Sequence, residues 1–215
     1  MDLLILAPVL LFSFVAHEFA HAWVARREGD PTAYLQGRVT LNPIPHIDLF
    51  GTLLVPAILI ASGSGFLIGW AKPVPVVASR FRDPKWSDIR VSLAGVTANF
   101  VIAIACTLLV VLTVHLERLV PGWGGADTIV LRALHAGIGL NFLLAVFNLL
   151  PVPPLDGSHL VAHFLPAGAA ATWRRFERYG TLLFVVLLLT GAVRYVLWPA
   201  FALEGASWAL IEWWT

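Results

Sequence analysis

Charged residues are scarce in this chain. Only 13% of its 215 residues are Asp, Glu, Lys or Arg, about half the fraction usual in a soluble domain, which excludes an ordinary water-exposed surface. The 14 basic and 13 acidic side chains leave a formal net charge of +1. Without a basic excess there is no electrostatic case for nucleic acid as a partner. A single cysteine, Cys106, sits in an apolar run; one thiol closes no intrachain disulfide, so a disulfide-stapled scaffold is excluded. A basic leader is also missing. The first apolar run opens at Leu3 and carries His17, Glu18 and His21, so it reads as a retained segment rather than a cleaved signal.

What the chain has instead is hydrophobic length. Apolar residues make up 59% of it and the mean hydropathy is +0.82, which makes lipid the solvent for most of the protein. Apolar runs extend roughly from Leu3 to Ala25, Leu49 to Trp70, Ile89 to Leu116, Val130 to Leu150 and Gly180 to Pro199. The expected fold is an all-α polytopic membrane protein with about four full transmembrane helices. It forms one domain over residues 1–215, with its core at about 3–160 and a C-terminal helix at about 180–200. The tryptophans from Trp198 to Trp214 suit an interfacial belt.

The second run departs from the pattern. Pro56 lies within it, and Gly63, Gly65 and Gly69 punctuate its second half before Lys72-Pro73-Val74-Pro75-Val76-Val77. A helix of Leu49 to Ser62 rises about 21 Å, short of the roughly 30 Å hydrocarbon core. Residues 49–77 are therefore expected to form a re-entrant hairpin, helical going in and extended coming out. Irregular backbone at membrane depth is tolerated only where protein buries it or where it lines a water-filled cavity, so the hairpin should border a site.

The basic residues favour the same topology. With a re-entrant second segment, Arg26, Arg27, Arg38, Lys72, Arg80, Arg82, Lys85, Arg90, Arg174, Arg175 and Arg178 share one face and only Arg118, Arg132 and Arg194 the other, 11 against 3. A full crossing reduces the bias to 8 against 5, with Arg194 ambiguous. By the positive-inside rule the richer face is cytoplasmic.

Chemistry enters at His17-Glu18-Phe19-Ala20-His21. This is an HExxH motif, in which the i, i+4 spacing brings two imidazoles to one helix face to share a metal, with an acid beside them to take a proton from water. Three ionisable groups inside a hydrophobic run cost several kcal/mol unless they have a purpose. A catalytic zinc has three protein ligands, so one must come from elsewhere, and Asp156 in Asn148-Leu149-Leu150-Pro151-Val152-Pro153-Pro154-Leu155-Asp156-Gly157 is the best candidate. Three prolines interrupt the span there. A re-entrant second segment sends the first and fourth runs across in the same direction, so His21 and Asp156 end on one side.

These residues carry a resemblance. HEFAH in a span, Ala94-Gly95 followed by Asn99 in the third run, and NLLPVPPLDG after the fourth resemble the site-2 protease family of intramembrane zinc metalloproteases. The run Leu35-Gln36-Gly37-Arg38 through Asn42-Pro43-Ile44-Pro45-His46-Ile47-Asp48, with Gly69-Trp70-Ala71-Lys72-Pro73, is similar to a prokaryotic branch without PDZ or CBS domains. The likeness covers about Phe12 to Gly157. It implies one Zn2+ per chain held by His17, His21 and Asp156, Glu18 as general base, and Asn148 near the metal, helping to hold the substrate or its oxyanion. Val96 departs from the family pattern, which usually has proline there, and the helix that many relatives carry before the HExxH span is absent.

The function expected is hydrolysis of peptide bonds within or near transmembrane segments of membrane proteins, either for regulated release or for clearance of signal-peptide remnants. The substrate would be a transmembrane protein in the lipid bilayer. The enzyme would cross the cell membrane several times with its active site towards the cytoplasm, and its regulatory partner is unknown. A non-proteolytic intramembrane metal transporter or sensor is the alternative, since it would use the same ligands without needing Glu18. Among the remaining polar residues, Trp70 to Val77 offers an edge for strand addition by substrate, although Pro73 and Pro75 each remove a donor. His46 with Asp48 is a candidate for orienting its loop or guarding the entrance, with plain packing of the loop as the alternative. His159 and His163 share a helix face, and Asn99 and Asn141 are expected to be interhelical hydrogen-bonders.

Overall fold

The computed structural model describes residues 3–63, 69–120 and 128–214. Its helices are α1 (Leu3–Arg27), α2 (Thr32–Leu35), α3 (Val55–Ala61), α4 (Pro84–Leu119), α5 (Ile129–Asn148), α6 (Asp156–Phe164), α7 (Ala167–Phe176), α8 (Gly180–Leu189), α9 (Val193–Val196) and α10 (Trp198–Trp214). No strand occurs among the described residues, so the fold is all-helical as the apolar runs imply. Three helices, α1, α4 and α5, are long and apolar enough to cross a membrane. At 1.5 Å per residue they rise about 37, 54 and 30 Å against a hydrocarbon core of roughly 30 Å.

The end of the chain differs from expectation. The run read as a helix at 180–200 breaks at Gly191, whose φ of +67° lies in the left-handed region that glycine tolerates. The ten residues of α8 rise only about 15 Å. The tryptophan-rich tail forms the 17-residue helix α10, which accommodates Pro199 in its first turn.

Two compact units make up the chain. In the unit Met1–Val9 with Val96–Thr215, Ala103 and Val110 of α4, Leu131, Ile138, Phe142 and Val146 of α5, and Ala200 and Ile211 of α10 form one core with Leu197. Asn99 Nδ2 donates to Asn141 Oδ1 at 2.8 Å, and Asn141 Nδ2 donates to the Gly137 carbonyl. Both asparagines are fully buried, so they join helices as expected. Val101, Ile104, Leu108, Leu109 and Leu112 of α4 stay exposed, an apolar outer face that suits lipid.

The unit Leu10–Gly95 holds the HExxH helix and the expected hairpin. The chain departs through π-helical turns at Leu49–Leu54, capped by Asp48 Oδ1 accepting from the Phe50 and Gly51 amides, and continues into α3. Helix 49–61 rises about 20 Å. Gly65, expected to punctuate the return, lies outside the described residues. The return is complete by Trp70, whose N–H donates to Gly51 O at 3.1 Å, while Thr52 Oγ1 donates to Trp70 O at 2.9 Å. A side chain at Gly51 would overlap the Trp70 indole, so glycine there lets the two arms touch.

From Gly69 to Val77 the backbone forms an extended strap held at intervals by the chain itself. Lys72 N donates to His46 O at 2.8 Å, and Val77 N donates to Asp30 Oδ2 at 2.6 Å. Asp30 is fully buried and also accepts from both the amide and the hydroxyl of Thr32. Burial alone would raise its pKa, but the hydrogen bonds from Thr32 and Val77, with the nearby Arg80 cation, together outweigh it and hold the carboxyl below its usual range.

Its lowered folded value makes the contribution of Asp30 to stability complete above the unfolded carboxylate value of about 3.9 and progressively lost as pH falls through the folded value. Asp30→Ala should therefore cost about 1–3 kcal/mol at neutral pH by stranding buried donors. Thermal unfolding in detergent should show the gap from wild type closing below about pH 4.

Candidate metal centre

Helix α1 turns its polar stripe inward. Ser13, His17 and His21, spaced at i, i+4 and i+8, are buried, whereas Leu4, Phe12 and Trp23 are exposed, the reverse of a soluble amphipathic helix. One turn apart, the His17 and His21 Nε2 atoms stand 2.9 Å from each other, and the rings meet edge to face with centroids 4.5 Å apart. Two ligands of a tetrahedral zinc with bonds of about 2.05 Å are separated by about 3.3 Å, so the pair is close to the spacing that a shared ion requires.

The tautomer of His21 is fixed by its outer partner. Its Nδ1 lies 2.7 Å from Val91 O; a carbonyl only accepts, so Nδ1 carries the proton and the Nε2 lone pair faces His17. This carbonyl-to-imidazole bond is the outer support that metal-ligating histidines use.

Space for the rings comes from Gly95. A Cβ there would lie 2.4 Å from His21 Nε2 and 2.5 Å from His17 Cε1, so the small residue clears the faces of both ligands. Two buried imidazoles, one with its tautomer set, and a glycine-made gap at their metal-facing nitrogens fit zinc.

Glu18 is tied to the strap. Its Oε2 accepts from the Val74 N–H at 2.7 Å, while the Val74 side chain packs with Ala22, Ala33 and Val39. On the other side of the strap, Arg38 Nη2 donates to Lys72 O at 2.5 Å and to Pro73 O at 3.4 Å. His46 is fully buried and its Nε2 donates to Thr40 O at 3.0 Å, which ties the ring to its own loop. Burial pushes its imidazole below the ordinary value, with the Thr40 carbonyl pulling the other way. Sequence reading assigned no role to Arg38, nor did it foresee the Val74 amide as a partner for Glu18; a backbone donor leaves no mark in the choice of side chain.

Asp156 and Asn148 belong to the other unit. Asp156 opens α6 after a turn in which Leu155 N donates to Val152 O and Ser158 N to Leu155 O. Gly157 packs against the end of α5, where a Cβ would lie 2.2 Å from Leu149 O, so the residue after the acid must be glycine for the chain to double back. Asn148 Nδ2 donates to Leu144 O at 2.9 Å, which commits one of its two N–H groups to its own helix. His159 is exposed.

A sequence profile described as peptidase family M50 matches residues 5–191. The chain belongs to peptidase family M50, the site-2 protease family. It is 43% identical over 196 residues to "Putative zinc metalloprotease YwhC" of Bacillus subtilis (strain 168), covering 90% of this chain and 84% of that protein. It is 32% identical over 183 residues to "Putative zinc metalloprotease Rip2" of Mycolicibacterium smegmatis (strain ATCC 700084 / mc(2)155), covering 85% of this chain and 66% of that one. No solved structure matches it. Membership makes the chain an intramembrane zinc metalloprotease.

Gly95→Ala isolates the role of that gap, because alanine favours a helix interior by about 1 kcal/mol over glycine. The M50 chain carrying it should lose most of its zinc by elemental analysis while keeping its helical circular dichroism.

Proposed function

We propose that this M50 protease hydrolyses peptide bonds within or near transmembrane segments of membrane proteins, with residues 1–215 acting as one intramembrane metalloprotease domain and the active site towards the cytoplasm. The observation that carries this reading is the His17–His21 pair with Glu18 beside it, on a 25-residue helix apolar enough to cross a membrane. The positive-inside bias supports the orientation.

In this reading His17, His21 and Asp156 hold the metal, a two-imidazole, one-carboxylate donor set suited to a catalytic zinc with one open position. Zinc, when bound, supplies a Lewis acid that polarises the scissile carbonyl and acidifies water towards neutral pH. Glu18 takes a proton from the attacking water and returns it to the leaving amine. Its Oε2 is anchored on the Val74 N–H, which leaves Oε1 for that transfer. The second N–H of Asn148 is the group suited to help hold the substrate or its developing oxyanion.

A helical substrate has its backbone groups paired within the helix, so it must unwind locally to present a peptide bond. Quenched-fluorescent single-span peptides with a helix-weakening Asn-Gly or Gly-Pro pair near one end are therefore the substrates to offer.

Two variants test the assignment. Glu18→Gln should retain about one zinc per chain and lose cleavage by about 10²-fold or more. Asp156→Ala should lose most of its zinc by elemental analysis. Wild-type cleavage by Glu18→Gln would remove Glu18 as the base, metal transport or signalling that tolerates Glu18→Gln with no cleavage in wild type would favour the transporter or sensor reading, and full zinc in Asp156→Ala would place the third ligand elsewhere.

A further inference from the structure

We propose that Arg38 is a positioning residue for catalysis: its guanidinium holds the strap so that the peptide N–H of Val74 meets the Glu18 carboxylate. The inference rests on Glu18 being the general base. Its own content is a chain of contacts that lies wholly within the unit Leu10–Gly95.

The central object is one peptide unit. Pro73 contributes its C=O and Val74 its N–H, and in a trans peptide these point in opposite directions. Arg38 Nη2 reaches that carbonyl at 3.4 Å and the preceding Lys72 carbonyl at 2.5 Å, while Glu18 Oε2 takes the N–H at 2.7 Å. A cation on the oxygen side and an anion on the nitrogen side polarise the peptide in the same sense, which strengthens both bonds. Two further contacts limit how the strap can shift. Lys72 N is held by His46 O, and Val74 packs against Ala22 one turn beyond Glu18.

Arg38 occupies a costly place for a surface-type residue. It is only 5% exposed, burial pushes its guanidinium below the ordinary value, and among the described residues no carboxylate stands at ion-pair distance from it. A buried cation answered by carbonyl oxygens is a poor source of stability compared with an apolar residue of similar volume. It does supply a planar donor that can engage two successive carbonyls. A direct Arg–Glu pair would occupy both carboxylate oxygens in a fork, whereas the interposed peptide takes Oε2 alone and leaves Oε1 for the proton.

The test reads the contact itself before it reads activity. Amide hydrogen exchange at Val74 in the zinc-loaded full chain is compared among wild type, Arg38→Ala, Arg38→Lys, Glu18→Ala and the Arg38→Ala/Glu18→Ala double variant. The expected result is about 10-fold faster exchange at Val74 in each single alanine variant, little further acceleration in the double, and an intermediate rate in Arg38→Lys, which keeps the charge on a shorter side chain without the planar Nη2 donor. Val77, bonded to Asp30 instead, serves as the internal reference and should not move. On a cleavable single-span peptide, Arg38→Ala and Val74→Pro should each lower kcat about 10- to 100-fold with KM and zinc content unchanged.

Unchanged Val74 exchange in Arg38→Ala would overturn the proposal. So would equal acceleration at Val77, which would mark general loosening of the unit. Val74→Pro leaves Arg38 in place, so wild-type kcat in that variant overturns it even if Arg38→Ala folds poorly. An active Glu18→Gln would sink the base assignment while the exchange result still decided whether Arg38 holds the strap.

Discussion

Two imidazoles and a carboxylate sit in a helix whose remaining surface is made for lipid, and lipid offers no hydrogen-bond partner to any of them. Everything close to α1 in the unit Leu10–Gly95 answers that constraint. Val91 gives His21 a carbonyl, Val74 gives Glu18 an N–H, and Gly95 gives both rings room. None of the three supplies a reactive group. They set a tautomer, a carboxylate rotamer and a gap, and without them the HExxH residues would be buried polar groups whose desolvation is uncompensated.

The hairpin follows from the same need. The interior of a helix has no N–H to offer a carboxylate, since each is already bonded to the carbonyl four residues back. The chain therefore returns from α3 as an extended strap, and the strap in turn needs anchors that a lone strand lacks. It finds them in Gly51 O, His46 O, Arg38 and Asp30. Asp30 and Arg38 are buried charged residues that look extravagant in a chain so poor in charge, and each holds this segment, Asp30 while also tying down Thr32.

How far the sequence could be read follows the same division between side chains and backbone. The helical class, the three long spans and the HExxH pair were legible because period, length and residue type are written in side chains. That the chain folds back from 49–61 so that Trp70 meets Gly51 was legible through Pro56, Gly69 and the Pro-rich return. The break at Gly191 was not, because one glycine between two apolar stretches leaves the hydropathy of the run intact. Nor could the Val74–Glu18 contact or the role of Arg38 be read. Each depends on which carbonyl or amide a fold presents, and no residue type encodes that.

The strap's composition also bears on what it can offer a substrate. An edge that adds a strand needs N–H and C=O groups on alternate residues. Along one edge, Trp70, Lys72 and Val74, the N–H groups are already committed to Gly51, His46 and Glu18. Along the other, Ala71, Pro73, Pro75 and Val77, two residues have no N–H and the Val77 donor belongs to Asp30. Ala71 is left to donate on that edge and Val76 on the first, while the carbonyls of Trp70, Lys72 and Pro73 already accept from Thr52 and Arg38, so few groups of the strap remain for the expected strand addition. Proline at 73 and 75 therefore serves two ends at once. It keeps the strap extended, and it blunts the edge opposite Glu18, which would otherwise invite any passing strand to pair there.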